Sequence, residues 1–316
     1  MKFSFIKWFI LIVAILLIIC INNRYEIFAL NFQKGQGIEK GEGSFRVMTW
    51  NVNAPLGTED VEYVRNGLIS EIEKQDPDIL CLQELSPKIF KEIQNSLDSI
   101  FGYIDSMAIK KEPSRYWIYS KKPIRNYKRY KCITDIDTIG FDQELQKEIK
   151  IITKYLPFCS VEVEVEPGSW ITVFSVHLRS SAYSTARRSM DEGSSWREGL
   201  PLYLENYKIG KKIRDYEADN MRIYLDSLES KDTPILIAGD FNDWSGSYCM
   251  RIITDGKYAN AWWEGSCGFG ITYDEWHLKL RLDHILFNHH FQLYNAKVEK
   301  NSFSDHLPLI VDFKLK

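Results

Sequence analysis

The sequence predicts an α/β fold in which sheets and helices pack in layers. Two observations lead to this prediction: segments with helical spacing of apolar residues alternate with short apolar strands, and one pair of strands alternates in polarity like a hairpin. The chain has 316 residues, 45% of them hydrophobic, which is enough to bury one sizeable core. Because the strands are spread from residue 45 to the C-terminus, we expect residues 45–316 to form one domain.

Residues 1–30 are predicted to be a membrane anchor or a signal peptide. Lys2 and Lys7 precede fourteen apolar residues at 8–21, and a count extended towards the N-terminus gives nineteen. Fourteen suits a signal-peptide core, whereas a spanning helix needs ~20 residues. Ile27 stands where a cleavage site needs a small residue, which favours an uncleaved anchor. The early lysines predict that the following domain lies outside the cytoplasm, or is secreted if the segment is cleaved.

The next elements follow from residue spacing. Residues 31–44 hold four glycines among charged residues, a composition typical of a flexible tether. Glu59–Lys74 has apolar residues at helical spacing, and Ser86-Pro87 begins a second predicted helix that ends near Ser96. Phe158–Glu166 and Trp170–His177 alternate in polarity around a Pro-Gly turn and predict an antiparallel hairpin.

A long insert is predicted directly after that hairpin. Residues 179–206 are rich in Ser, Gly and charged residues, and helical spacing resumes at Tyr207–Leu228. Because the insert follows His177, we expect it to contribute to substrate selectivity.

Charge and cysteine content limit the function classes. The net charge of −3 gives no general basic field of the kind that attracts nucleic acid. Residues 121–131 hold six basic residues and two tyrosines, which suits either an anionic ligand or a solvated edge strand. Six cysteines show no zinc spacing; Cys132 with Cys159, or Cys249 with Cys267, would pair only in an oxidising compartment.

Polar side chains close six apolar, strand-like segments. A rigid strand holds such groups at fixed separations, while the adjoining loop leaves them open to a ligand. Each one alone is an ordinary turn or cap residue. The strand-end residues that we consider candidates for a site are Asn51, Glu84, His177, Asp240, Asn242, Asp283, Asp305 and His306.

In chain order these ends read Asn, Gln-Glu, His-Leu, Gly-Asp-Phe-Asn, Leu-Asp-His and Ser-Asp-His. The ordered set resembles the endonuclease/exonuclease/phosphatase superfamily, which includes DNase I, abasic-site endonucleases, neutral sphingomyelinases and inositol-polyphosphate phosphatases. The resemblance covers residues 45–313. It implies a DNase I-like four-layer sandwich, with two mostly antiparallel β-sheets packed face to face, helices outside and the active site at one end. It also implies phosphoester hydrolysis with Mg²⁺ or Mn²⁺.

The resemblance implies a role for each metal-binding candidate. Glu84 is the expected metal ligand, because a hard divalent cation prefers carboxylate oxygen. Asn51 is expected to assist in positioning the metal or the phosphate, and Asp305 is a further metal candidate. Asp240 would orient or deprotonate water, while Asn242 holds a phosphoryl oxygen. Asp240 and Asn242 lie two apart, so their side chains point to the same side of an extended segment.

The resemblance also implies a dyad. His306 is expected to pair with Asp283, since a carboxylate fixes the imidazole tautomer and raises its basicity. His306 would act as a base or as a cation that stabilises the phosphate, and the role of base stays open between Asp240 and His306. His284 should point away from the site, whereas His277, His289 and His290 lie outside every motif and are expected on the surface.

The predicted function is a Mg²⁺-dependent phosphodiesterase or nuclease acting outside the cytoplasm. His177 favours the DNase, sphingomyelinase and inositol-phosphatase branches over the abasic-site endonucleases. Asp243-Trp244 fits the inositol-phosphatase branch poorly. The substrate stays open between nucleic acid and a lipid headgroup.

Two alternatives accompany this function. The predicted anchor and the net charge of −3 favour a lipid-phosphate or sphingomyelin-type phosphodiesterase or phosphatase at the membrane. A non-catalytic binding module on the same fold is disfavoured, because every expected site residue is present. No obligate protein partner is inferred.

Overall fold

The computed structural model describes most of the chain. The described residues are 2–25, 30–31, 43–53, 61–104, 116–132, 139–142, 147–150, 155–180, 196–275, 278–301 and 303–316. His277 and residues 181–195 of the predicted insert lie outside them.

The helices have the bounds α1 Lys2–Tyr25, α2 Val61–Gln75, α3 Pro87–Ile100, α4 Trp196–Glu229, α5 Tyr248–Thr254 and α6 Ala261–Gly265. Two of the helices, α2 and α3, lie close to the predicted positions. The second predicted helix begins as expected, because the Ser86 hydroxyl accepts a hydrogen bond from the Ile89 amide at 3.2 Å and Pro87 stands in the first turn. The helix predicted from Tyr207 begins earlier, at Trp196, so the end of the predicted insert is helical.

The strands include every predicted one. Their bounds are β1 Leu30–Asn31, β2 Ser44–Asn51, β3 Ile79–Gln83, β4 Tyr103–Ile104, β5 Tyr116–Ser120, β6 Ile124–Lys131, β7 Ile139–Asp142, β8 Lys147–Lys150, β9 Tyr155–Glu166, β10 Ser169–His177, β11 Ile235–Asp240, β12 Ala259–Asn260, β13 Gly268–Phe269, β14 Tyr273–Glu275, β15 Leu278–Leu280, β16 Asp283–Phe287, β17 Phe291–Val298 and β18 Leu309–Leu315. The predicted hairpin is β9 paired antiparallel with β10.

Two six-stranded sheets form the centre of the molecule. One has the strand order β12-β16-β11-β10-β9-β6 and the other β17-β18-β2-β3-β5-β4. Most neighbours are antiparallel, and the pairs β10–β11 and β2–β3 are parallel. This architecture confirms the predicted α/β sandwich.

Three apolar clusters hold the layers together. The central one joins the inner faces of the two sheets and includes Phe45, Val173 and Ile285. A second packs α2 and α3 on the outer face of the β2 sheet, and a third packs α4 and α5 on the outer face of the β11 sheet. Apolar burial of this kind contributes ~25 cal/mol per Å², so the layers fix the strand ends in place.

The predicted N-terminal membrane anchor is wrong. Within the residues that the structure describes, no helix combines the length and the apolar character needed to cross a membrane. The predicted localisation depends on this anchor and is therefore not supported.

Part of the predicted tether packs against the domain. Leu30–Asn31 pairs with Gly268–Phe269, and the buried Asn31 amide donates to three backbone carbonyls around α6. The five cysteines from Cys81 onward are free thiols, so neither suggested disulfide forms. The basic segment is β6, an edge strand with most of its side chains exposed.

Candidate active site

Strand register brings the candidate residues to one end of the sandwich. Parallel pairing of β10 with β11 sets His177 beside Asp240, and antiparallel pairing of β11 with β16 sets Asp240 beside Asp283. In the other sheet, parallel pairing of β2 with β3 sets Asn51 beside Gln83, directly before Glu84. The predicted convergence of strand ends is therefore observed.

Gly239 makes the close approach of β10 and β11 possible. Its φ is 153°, and a Cβ at this position would overlap the backbone carbonyl oxygen of Val176. Any larger residue would push the two strands apart just before Asp240. The separation of His177 and Asp240 depends on this glycine.

Glu84 lies at the centre of one half of the site. Its Oε1 is 3.1 Å from His177 Nε2 and 3.3 Å from the Asn51 side-chain nitrogen. The imidazole contact is close but poorly aligned, since Nε2 has no well-aligned hydrogen bond to the described residues. The Glu84 side chain is 32% exposed, so its carboxylate also faces solvent.

Two of the site residues have a left-handed backbone. Glu84 has φ 56° and Asn242 has φ 51°. Asn tolerates this conformation, but Glu adopts it rarely and at a cost of about 1–3 kcal/mol. The surrounding fold therefore holds Glu84 in an unfavourable conformation that turns its carboxylate towards His177.

Asp240 accepts hydrogen bonds from two neighbours. Its Oδ2 accepts from Asn51 at 2.9 Å and from the Asn242 side chain at 3.2 Å, and its Oδ1 accepts from the Asn242 amide at 2.8 Å. The same oxygen Oδ2 lies 3.8 Å from His177 Nε2 and 3.9 Å from His306 Nε2. One buried carboxylate thus links both histidines.

The predicted dyad is present. His306 Nδ1 lies 2.7 Å from Asp283 Oδ2, and both side chains are buried. The backbone amide of Asp283 donates to the Thr272 hydroxyl at 3.0 Å. Ser304 links this half to the other: its hydroxyl donates to the Asn51 carbonyl at 2.8 Å and accepts from the His306 amide at 3.0 Å.

Asp305 lies beside this dyad, at the rim of the site. Burial raises its pKa, and the charges of Glu84 and Asp240 add to that rise. Asp305 is half-buried. Its carboxylate therefore belongs to the same electrostatic cluster, although it is not part of the dyad.

The clustered carboxylates and imidazoles shift each other's protonation. Burial disfavours the charged form of Glu84, but the contacts with His177 and Asn51 outweigh it and lower its pKa to about 2. Burial also opposes protonation of His306, yet Asp283 and Asp240 raise its pKa to about 10. Burial also opposes protonation of His177, but Glu84 and Asp240 outweigh it and raise the pKa of His177. His306 is therefore held as a cation at neutral pH.

The donor chemistry fits a hard divalent cation. The carboxylates of Glu84, Asp240, Asp283 and Asp305 form one electrostatic cluster, and such cations prefer oxygen ligands while keeping several waters. Glu84 combines a lowered pKa with solvent access, as a metal ligand requires. Donor atoms of Asp240, Asp283 and His306 also lie within 4.8 Å of one another.

His284, His289 and His290 lie where the sequence predicted. His284 points away from the site, and its ring nitrogens contact Asn260 and the Asp243 carbonyl. Burial lowers its pKa, so it stays neutral. His289 is exposed and His290 is partly exposed.

Sequence reasoning missed a buried ionic network behind the site. Arg214 of α4 is 0% exposed; its Nε donates to Asp243 at 3.2 Å and its Nη1 to the Arg179 carbonyl at 2.9 Å. Glu217, one turn later, accepts from the Arg179 amide at 2.9 Å, and burial raises its pKa to about 7. The network fixes the chain just after His177 and just after Asn242. The sequence signal for this network is Asp243, which directly follows the Gly-Asp-Phe-Asn motif.

Comparison with known proteins agrees with this geometry. The profile described as the Endonuclease/Exonuclease/phosphatase family matches residues 48–306. No curated protein sequence matches the chain significantly.

Solved structures share the fold at low sequence identity. The human Nocturnin catalytic domain with bound sulfate has a TM-score of 0.57 at 16% identity, covering 88% of this chain and 96% of its own. Sphingomyelinase C from Streptomyces griseocarneus has 0.56 at 16%, covering 85% and 99%. D. rerio TDP2 complexed with single-strand DNA product has 0.56 at 14%, covering 86% and 100%.

The ionic network predicts a positioning role for Arg214. Removing Arg214 alone would leave Asp243 buried and unpaired, at a cost of about 3–5 kcal/mol. The double variant Arg214→Met/Asp243→Asn removes both charges, so it tests position rather than folding. We expect its kcat on a bis-aryl phosphodiester to fall by about 10- to 100-fold with little change in KM, because displaced catalytic groups lose alignment.

Arg222→Met is the matched control for this experiment. Arg222 lies on the same helix and donates to the Ile253 carbonyl at 3.0 Å, remote from the site. We expect this control to lose stability but to keep its kcat per folded molecule. A wild-type kcat in Arg214→Met/Asp243→Asn would show that the network does not position the site.

Proposed function

Because this chain belongs to the Endonuclease/Exonuclease/phosphatase family and is a metal-dependent phosphoester hydrolase, we propose that it is a Mg²⁺-dependent phosphodiesterase that cleaves nucleic acid. The observation that carries the proposal is the joining of the Glu84–His177 pair and the Asp283–His306 dyad through the buried Asp240.

Hydrolysis of a phosphodiester needs an oriented water and a stabilised phosphoryl oxygen. We assign the first task to Asp240, whose fixed carboxylate lies between the two imidazoles. The Asn242 side-chain amide donates to the Leu178 carbonyl at 2.9 Å, which fixes the side chain. We assign Asn242 to hold a phosphoryl oxygen. Asp240 ends β11, and hydrogen bonds to Leu178 and Asp240 hold Asn242 in the following loop, so both side chains are placed before the substrate arrives.

His306 is assigned as a cation facing the phosphoryl group. Asp283 holds its Nδ1, so Nε2 is the nitrogen left to act on substrate. The raised pKa supports a protonated ring that donates to a developing negative charge. This assignment leaves the role of base to Asp240. His177, held by Glu84, is assigned to a second phosphoryl oxygen.

We assign Glu84 to hold Mg²⁺. Asn51 is assigned to help position the cation, and Asp305 is a further candidate ligand. When bound, the cation neutralises the phosphoryl oxygens and lowers the charge on the leaving group. The strained backbone of Glu84 supports this assignment, since such strain recurs at functional positions. Glu84 also has the solvent access that water ligands on Mg²⁺ require.

The basic edge strand β6 supports a nucleic acid substrate. Arg129 is level with Cys159 in β9, and Cys159 is level with Ser175, two residues before His177. Lys128, which is level with Ser160 of β9, also lies towards this end. Lys128, Arg129 and Lys131 are therefore near the active-site end of the sheet, about 10 Å from β10 at the usual spacing of neighbouring strands. Exposed cations at this distance suit the phosphates that flank a scissile bond in a polyanion. A zwitterionic lipid headgroup needs no such row.

The role of Glu84 gives the direct test of this function. We expect Glu84→Gln, or a chelator added to the wild type, to reduce cleavage of single-stranded DNA and RNA by at least about 1,000-fold while the fold persists. The substitution keeps the size of the side chain but removes the charge that binds the cation. Turnover with Mg²⁺ or Mn²⁺ and circular dichroism are the measurements. Glu92→Gln, an exposed site on α3, is the matched control.

The same assay separates the substrate classes. DNA, RNA, sphingomyelin vesicles and bis-aryl phosphodiesters are offered to the full chain at equal concentration. Faster turnover of sphingomyelin than of either nucleic acid would replace the proposed substrate with a lipid. Full activity in chelator would contradict the metal dependence itself.

The basic strand predicts a salt-dependent contribution to substrate binding. We expect Lys128→Gln/Lys131→Gln to raise KM for single-stranded DNA about tenfold at low salt and to leave KM for a bis-aryl phosphodiester unchanged. The slope of log KM against log salt concentration should weaken by about 0.7 for each lysine that no longer neutralises a phosphate.

Lys121→Gln/Lys122→Gln removes the same charge near the opposite end of the strand. This control should leave the salt dependence close to that of the wild type. An equal effect of the two double variants would attribute the change to net charge and would contradict a phosphate-binding strand.

A further inference from the structure

We propose a second metal site, for a transition metal ion of the Zn²⁺ class, formed by Asp232, His289 and His290 at the opposite end of the sandwich. Each side chain offers one donor atom, and the three donor atoms lie within 4.8 Å of one another. Sequence reasoning placed these histidines on the surface and assigned them no role. Imidazole nitrogen with one carboxylate oxygen is a donor set that Zn²⁺, Ni²⁺ or Cu²⁺ prefers over Mg²⁺.

The distances fit a single ion. Asp232 Oδ1 lies 3.1 Å from His290 Nε2 and 3.5 Å from His289 Nε2. Ligands at ~2.0–2.1 Å from a tetrahedral Zn²⁺ are separated by roughly 3.3–3.4 Å. The two rings lie side by side, with centroids 4.1 Å apart, and the Nε2 atom of each ring lies close to Asp232 Oδ1. Solvent exposure of Asp232 and His289 leaves the fourth position to water.

The fold holds the two turns that carry these ligands. The Asn288 side chain links the two turns. Its amide nitrogen donates to the Thr233 carbonyl at 2.8 Å, and its amide oxygen accepts from the Ile235 backbone N–H at 3.3 Å. The C-terminal Lys316 donates to the carbonyls of His289 and His290 at 2.8 and 2.9 Å. The ligands therefore start close to their bound positions, which lowers the entropic cost of binding.

The charges beside the proposed site are largely paired, and Asp232 is the carboxylate that faces the histidines. Asp226 and Glu229 line a cavity of about 410 Å³ next to Asp232. Arg222 pairs with both of these carboxylates, and Lys257 lies 2.9 Å from Glu229. A bound cation therefore gains its attraction mainly from Asp232.

The proposed site is separate from the active site. Strand β11 begins at Ile235, just after Asp232, and ends at Asp240, so the two sites lie at opposite ends of one strand. Five residue steps at ~3.3 Å place them roughly 16 Å apart or more. A bound ion would join the turn before β11 to the turn before β17 and would stabilise that end of the fold without entering the reaction.

The experiment is a ZnCl₂ titration of the full chain, read by thermal unfolding and by calorimetry. Saturating Mg²⁺ is present to occupy the active site, and Cys267→Ser serves as the background because Cys267 is an exposed free thiol. We expect Zn²⁺ to raise Tm with one bound ion at this site. His289→Gln/His290→Gln, and separately Asp232→Asn, should weaken the affinity at least tenfold. Glu84→Gln should leave it unchanged, because that residue belongs to the other site.

CoCl₂ provides an independent readout. Co²⁺ bound by two imidazoles and a carboxylate in a four-coordinate site should give visible absorption bands that disappear in His289→Gln/His290→Gln. Circular dichroism of the variants without metal checks that they fold. Equal Zn²⁺ affinity in this double variant and its background would overturn the proposal. Absence of a Tm shift at millimolar Zn²⁺ would overturn it too and would leave Asp232 as an ion-pair partner of the histidines.

Discussion

The arrangement of the site depends on the need to satisfy one buried carboxylate. Asp240 is 1% exposed, and a buried charge without partners would cost several kcal/mol. Its oxygens accept hydrogen bonds from Asn51 and from both the amide and the side chain of Asn242. Asn51 ends β2 of the other sheet, whereas Asn242 lies in the loop directly after β11. The carboxylate can therefore be buried only if the two sheets meet in the correct register.

That register brings the chemistry together. Once Asp240 is placed, strand pairing fixes His177 on one side and Asp283 on the other, and Asp283 fixes His306. Gly239 permits the approach of the strands from within the sheet. The Arg214 network secures the loops that follow them from outside. Apolar packing supplies the rigid layers, whereas buried polar contacts select which loop conformations complete the site.

The sequence predicted the fold and the site members because both leave local patterns. Apolar strands ending in Asn51, Glu84 or Asp240 are visible as short motifs, and their order carries the family resemblance. Contacts across the chain leave no such pattern, so the contact of Glu84 with His177 was not predicted. Arg214 looks like one more charged residue on an amphipathic helix. The prediction of an N-terminal anchor was wrong, because no helix among the described residues is both long and apolar enough to cross a membrane.

The central claim, that Asp240 is the charge shared by both histidines, is tested by NMR titration of the imidazoles in the metal-free protein. Asp240 is 3.8 Å from His177 Nε2 and 3.9 Å from His306 Nε2, and its charge raises the pKa of both rings. In Asp240→Asn the charge is gone while the size is kept, so protonation becomes less favourable. The account predicts that the pKa of both rings falls relative to the wild type. Unchanged pKa values for His177 and His306 would contradict it.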